Sequence, residues 1–154
     1  MNDMDVKPPM RRPLATVAHM DWLDDTGLIV LPSGPRIRGR RLTADATPAD
    51  FTLVLAKGPR PEWERRVIQW PDFGTPKQLD DALDALHEAH RRALAGERVE
   101  AACHGGMGRT GTALAAIGIL DGLTPDEAFA WVRVGYHPKA IETPGQRRWL
   151  RKVQ

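Results

Sequence analysis

Short apolar runs, each closed off by glycine, proline or charge, punctuate the chain at 28–31 (LIVL), 52–56 (TLVLA), 67–70 (VIQW) and 99–103 (VEAAC). Runs of this length with such boundaries predict β-strands. The segment 36–41 (RIRGRR), with Ile37 set between arginines, has the alternation of an edge strand with a polar face. Three longer stretches open on the same signal: Thr75-Pro76 with Gln78, Thr124-Pro125 with Glu127, and Thr143-Pro144 with Gln146. Each predicts a helix capped by its threonine, with proline first, where a missing N–H costs nothing, and a third residue reaching back to the cap. The first of these helices carries Leu79, Leu83, Leu86 and His90 along one stripe and ends near Gly96. A fourth stretch, 110–120 (TGTALAAIGIL), is small and apolar nearly throughout, which predicts a helix buried in the centre of the fold.

Strands interleaved with alanine- and leucine-rich helices, over 154 residues of which 42% are hydrophobic, predict one α/β domain with a sizeable core. Residues 1–13 contain proline and arginine without apolar periodicity and are expected to be a loose tail, leaving 14–154 as the single domain. The first twenty residues lack the unbroken apolar run of a signal peptide, and no later segment approaches bilayer-spanning length, so no membrane partner is expected. The formal charge of +2 comes from interleaved charges of both signs, which argues against a nucleic-acid surface. The arginines of 36–41 still suit anionic substrates. Cys103 is the only cysteine, which excludes an internal disulfide and a four-cysteine zinc site and fits a reducing cytoplasm.

The chemistry gathers around that cysteine. Between the strand ending at Cys103 and the buried helix, the chain reads C-H-G-G-M-G-R-T, followed by Gly111. Gly105, Gly106 and Gly108 allow successive N–H groups to turn inward, giving a concave nest of donors at a helix N-terminus, where anions bind. His104 and Met107 complete this lining. Arg109 adds a planar fork able to hold two oxygens of a tetrahedral oxyanion at once. A free thiol is only a few per cent thiolate at neutral pH, and inward N–H dipoles beside a guanidinium favour the anion. Cys103 is thereby placed to be a nucleophile.

The spacing of Cys103, Gly106, Gly108, Arg109, Thr110 and Gly111 resembles the phosphate-binding signature of the protein-tyrosine phosphatases, including the dual-specificity group. Upstream, Trp70-Pro71-Asp72-Phe73-Gly74 resembles the mobile acid loop of the same family, in the family's order. The chain as a whole resembles small bacterial members. This resemblance implies an α/β fold with a central mixed sheet flanked by helices. It also implies hydrolysis of phosphate monoesters, protein phosphotyrosine foremost, through a phosphocysteine. Cys103 would be the nucleophile, Arg109 the phosphate clamp, Asp72 the general acid and Thr110 a donor to the departing sulfur. Residues His104 to Arg109 would hold the phosphate, while Trp70 and Phe73 would frame an aromatic leaving group. No metal or cofactor is implied; the partners are phosphorylated proteins or peptides and phosphate-like anions.

Dual-specificity, phosphoinositide or RNA 5′-phosphate hydrolysis, and a phosphate-binding pseudoenzyme, stand as alternatives. Two departures from the family pattern stand out. Ala102 occupies the position where many relatives have histidine. Ile141-Glu142-Thr143-Pro144-Gly145-Gln146 resembles the segment that positions water, with Glu142 in place of the first glutamine and Gln146 matching the second. Gln146 is equally the third residue of a capping box.

Overall fold

In the computed structural model, which describes residues 21–154, the runs at 28–31, 52–56 and 99–103 and the segment 36–41 form strands of one five-stranded sheet, whose remaining strand, Arg65–Val67, shares only Val67 with the run expected at 67–70. The expected tail at 1–13 lies outside the described residues. Strands β1 (Leu28–Val30), β2 (Arg36–Arg41), β3 (Phe51–Val54), β4 (Arg65–Val67) and β5 (Val99–Cys103) stand in the order β1-β2-β5-β3-β4. Only β1 runs antiparallel to its neighbour; β2, β5, β3 and β4 are parallel. The sheet is therefore mixed, as expected, and the C-terminal ends of its parallel strands share one edge. Open α/β sheets bind ligands at that edge. Cys103 sits there, paired with Arg41, at the end of the fully buried central strand.

Segment 36–41 is an interior strand, not the expected edge strand. Ile37, Arg38 and Gly39 are buried, and Arg38 is tolerated there because Glu100 on β5 is wholly buried opposite it. The Glu100 carboxylate accepts from Arg38 Nε (2.7 Å), Arg40 Nε (2.8 Å) and Thr52 Oγ1 (2.6 Å). Buried charges persist when paired and hydrogen-bonded in this way. The alternation of the segment is visible in sequence, but the distant carboxylate that admits its arginines to the interior is not.

Among the described residues four helices flank the sheet: α1 (Leu79–Leu94), α2 (Gly108–Leu120), α3 (Pro125–Gly135) and α4 (Pro144–Trp149), the last running into a 3₁₀ turn, Leu150–Lys152. Both downstream capping boxes form as predicted, on Thr124 with Glu127 and on Thr143 with Gln146. The first does not. Helix α1 starts at Leu79 behind Gln78, which makes no side-chain cap bond, because Lys77 N–H is donated across to Gln69 O (3.0 Å). Its buried face is Ala82, Ala85, Leu86, Ala89 and Ala93; of the expected stripe Leu86 is fully buried, Leu83 packs half-buried against the core and Leu79 is 38% exposed. Small side chains let this helix lie close against β3, β5 and α2. Helix α2 is buried from Gly108 to Gly118, packed between the sheet and its neighbouring helices. No helix among the described residues is long and apolar enough to cross a membrane.

Asp121, just past α2, ties this core helix to its surroundings. Its carboxylate accepts from Ser33 N (2.8 Å) and Oγ (2.7 Å) and meets His90 Nε2 at 2.9 Å. Burial pushes the carboxyl up, but the hydrogen bonds from His90 and Ser33 outweigh it and hold the group below the usual carboxylate range. A depressed carboxylate contributes stability above its unfolded value and loses it as pH falls through the folded one. Asp121→Ala should therefore cost about 1–3 kcal/mol in urea unfolding at neutral pH. The gap from wild type should close below about pH 4; a gap constant to the acid limit of folding would contradict this account.

Candidate active site

Strand β5 delivers Cys103 to the sheet edge and α2 begins five residues later, so the intervening loop must turn sharply. Gly106 makes the turn with φ +70°, in the left-handed region, where a Cβ would also lie 3.0 Å from the backbone of Arg40 and Arg41. This conformation brings Gly106 N–H onto the Cys103 sulfur at 3.3 Å, and Thr110 Oγ1–H reaches the same atom at 2.9 Å. The sulfur of Cys103, a residue 2% exposed, thus accepts from two donors. The N–H groups of Gly105, Met107, Gly108 and Arg109 meet no acceptor among the described residues. Free donors at the N-terminus of a buried helix attract a negative charge.

Gly108 has a second constraint, invisible in the motif. A Cβ at this position would fall 2.1 Å from a Glu142 carboxylate oxygen, so the Glu142 side chain packs directly on the loop.

Arg109, the second residue of α2, is 5% exposed and held at one end of its fork. Nη1 donates to Trp70 O (2.9 Å) and Leu55 O (3.2 Å), and Nη2 stands 3.5 Å from Asp72 Oδ1. Its Nε is buried with no partner among the described residues. An unsatisfied buried donor costs on the order of 1–3 kcal/mol, a cost that an anion in the nest would remove.

The 70–74 segment is locked in place by both neighbours. Trp70 is buried against Trp149, with ring centroids 5.6 Å apart, and its Nε1–H is donated to Gly74 O at 2.7 Å. Phe73 takes φ +60° and is 60% exposed, so it is the aromatic that faces solvent here. The Asp72 side chain is 57% exposed, with its Oδ1 accepting Phe73 N–H at 3.0 Å. From α4, Thr143 Oγ1 donates to Phe73 O (3.2 Å) and Gln146 Nε2 to Gly74 O (3.2 Å). Gln146 is wholly buried, and its Oε1 accepts the N–H groups of Glu142 (2.8 Å) and Thr143 (3.3 Å). Both ends of this amide are bound to backbone, which is the geometry of a cap that also tethers the 70–74 segment.

Among the described residues, two cavities flank the Cys103 loop. One, of about 690 Å³, is lined by Lys57, Arg60, Asp72, Lys77, His104 and Arg109. The exposed His104 meets the Lys57 carbonyl through Nε2. The other, of about 630 Å³, is bordered by Arg40, Arg41, Gly106, Met107 and Tyr136. Sequence reasoning singled out neither Lys57 and Arg60 nor Tyr136, since none belongs to a signature and only the fold brings each to the loop.

This strand-loop-helix geometry agrees with comparison to known proteins. The family profile "Protein-tyrosine phosphatase" matches residues 47–137. The match spans more than half of the chain, and the chain belongs to this family, within the cysteine-dependent phosphatase superfamily. The human protein "Tyrosine-protein phosphatase non-receptor type 4" is 33% identical over 97 residues, covering 59% of this chain and 10% of that protein. The chain thus spans about a tenth of that relative's length. Among solved structures, Tk-PTP in its active form has TM-score 0.61 at 29% identity, covering 68% of this chain and 78% of the other. A point-mutant form of Tk-PTP has TM-score 0.66 at 25% identity, covering 86% and 92%. Human DUSP28, at 17% identity over 68% and 76% of the two chains, shares the fold with TM-score 0.59.

Proposed function

We propose that residues 14–154 act as one domain that hydrolyses phosphate monoesters through a phosphocysteine at Cys103, with protein phosphotyrosine as the favoured substrate. One observation carries this reading: a sulfur held by two donors stands at the head of the helix that supplies a buried guanidinium with an unpartnered Nε. In the first step the Cys103 thiolate attacks phosphorus, forming the S–P bond as the ester O–P bond breaks, and Asp72 gives its proton to the departing oxygen. The loop N–H groups and Arg109 hold the equatorial oxygens. In the second step Asp72 takes a proton from water as that water attacks phosphorus. The S–P bond breaks, and the Thr110 hydroxyl stabilises the returning thiolate. The contact of Arg109 Nη1 with Trp70 O gives clamp and acid loop a common anchor.

Substrate preference follows from the cavity beside Asp72. Lys57, Arg60 and Lys77 line it, and Asp72 is its only carboxylate among the described residues, so the field there favours anionic substrates. Exposed Phe73 supplies aromatic contact for a phenolic leaving group; 1.4 kcal/mol of such contact in the transition state is a tenfold preference. The same cations favour, as a second reading, a substrate with another phosphate. PTPMT1, solved in complex with PI(5)P, shares the fold with TM-score 0.54 at 18% identity. A thiol that must stay reduced suits the cytoplasm.

The test is turnover of para-nitrophenyl phosphate with and without chelator, followed by kcat/KM on matched phosphotyrosine and phosphothreonine peptides and a phosphoinositide. The expected result is chelator-independent turnover and a phosphotyrosine-to-phosphothreonine ratio above one. A ratio at or below one overturns the tyrosine preference, and a phosphoinositide preferred over both peptides favours the second reading.

A further inference from the structure

We propose that Tyr136 is a positioning residue of the phosphate loop, its hydroxyl holding the Gly106 carbonyl turned away from the anion nest. The inference rests on the loop being a phosphate site and concerns a residue outside every signature of the sequence. Tyr136, the chain's only tyrosine, caps the C-terminus of α3, and its hydroxyl donates to Gly106 O. Gly106 is the residue whose left-handed turn aims its own N–H at the Cys103 sulfur.

In a planar trans peptide the C=O and the following N–H point in opposite directions. Fixing the Gly106 carbonyl on Tyr136 therefore aims Met107 N–H the other way, and that N–H meets no acceptor among the described residues. Glycine has no side chain to oppose rotation of this peptide. If the peptide flipped, a carbonyl oxygen would replace a donor in the nest and repel the phosphate. The Tyr136 hydroxyl opposes that flip.

The rest of the fold is shaped around this contact. The Tyr136 ring lies over Gly39 of β2, where a Cβ would come within 2.6 Å of two ring carbons. The glycine in the middle of an interior strand thus leaves room for the ring beneath the loop. Burial, reinforced by negative charge at Cys103, pushes the phenol well above its ordinary range, so the hydroxyl remains a donor across the working pH of an enzyme.

The experiment compares Tyr136→Phe and Tyr136→Leu in the full chain. Three quantities are read at a temperature where each variant is folded: the inhibition constant of inorganic phosphate, kcat and KM for para-nitrophenyl phosphate, and the melting temperature. Tyr136→Phe keeps the ring over Gly39 and should lower the melting temperature by no more than the few degrees one hydrogen bond contributes, yet bind phosphate roughly fivefold to tenfold more weakly and lose kcat by a similar factor. Tyr136→Leu should show the same loss of phosphate affinity with a lower melting temperature in addition. If Tyr136→Phe keeps wild-type phosphate affinity and kcat within twofold, the proposal is overturned, whatever happens to its melting temperature. Phosphate affinity measured by calorimetry in a Cys103→Ser background separates this result from failure of the catalytic reading. There the Tyr136→Phe effect should persist even if the parent chain shows no turnover.

Discussion

Cys103→Ser should abolish turnover of para-nitrophenyl phosphate, by a factor on the order of 10⁴ or more, while phosphate or vanadate still binds. A serine hydroxyl is far less acidic than a thiol, and nothing beside it is placed to remove its proton: the two groups on the sulfur, Gly106 N–H and Thr110 Oγ1–H, are both donors. They stabilise an anion already formed. The binding machinery does not depend on sulfur, because the Arg109 fork is anchored on Leu55 O and Trp70 O and the N–H groups of 105 and 107–109 belong to the backbone. Calorimetric titration of phosphate into the variant, alongside its activity, separates the two roles. A serine variant with near wild-type rate would end the nucleophile assignment.

Asp72→Asn should slow hydrolysis of alkyl phosphates by roughly 10²–10⁴, the range for loss of general acid catalysis, and of para-nitrophenyl phosphate by much less. The difference arises because an alkoxide needs a proton to depart and a nitrophenolate hardly does. Asparagine keeps an oxygen for Phe73 N–H, and the loop is otherwise fixed by Trp70 Nε1 and by Thr143 and Gln146 of the α4 cap. The substitution should therefore remove the proton and leave the loop in place. Equal losses on both leaving groups would mean that Asp72 is not the donor; Asp80 and Asp81, on the first turn of α1, would be next to test.

Much of this arrangement was legible in the sequence because it is local. The strand-loop-helix around Cys103, the Gly106 turn and the two downstream capping boxes depend on neighbours a few residues apart, and their spacing announces them. The interior placement of β2 was not legible, since the carboxylate that pairs with Arg38 and Arg40 is Glu100, about sixty residues away along the chain. The failed cap at Thr75 has the same origin: Lys77 N–H bonds to Gln69 O in preference to starting a helix. Alanines on α1 hid its buried face, because a leucine stripe outweighs them in any hydrophobic pattern. At the site, the aromatic pair expected to frame a leaving group is divided: Trp70 packs inward on Trp149 and Phe73 faces out. Residue type at 70 and 73 is the same kind of signal, and only the left-handed turn at Phe73 separates their directions.

The central claim is that phosphate passes through the sulfur of Cys103. Its most direct test is acid quench of the Asp72→Asn variant during turnover of a radiolabelled aryl phosphate, followed by peptide mapping. With the acid loop unable to activate water, the thiophosphate ester should accumulate, and the label should lie on the peptide containing Cys103 and disappear in Cys103→Ser. Continued turnover with no covalent label, or label on any other residue, would contradict the account.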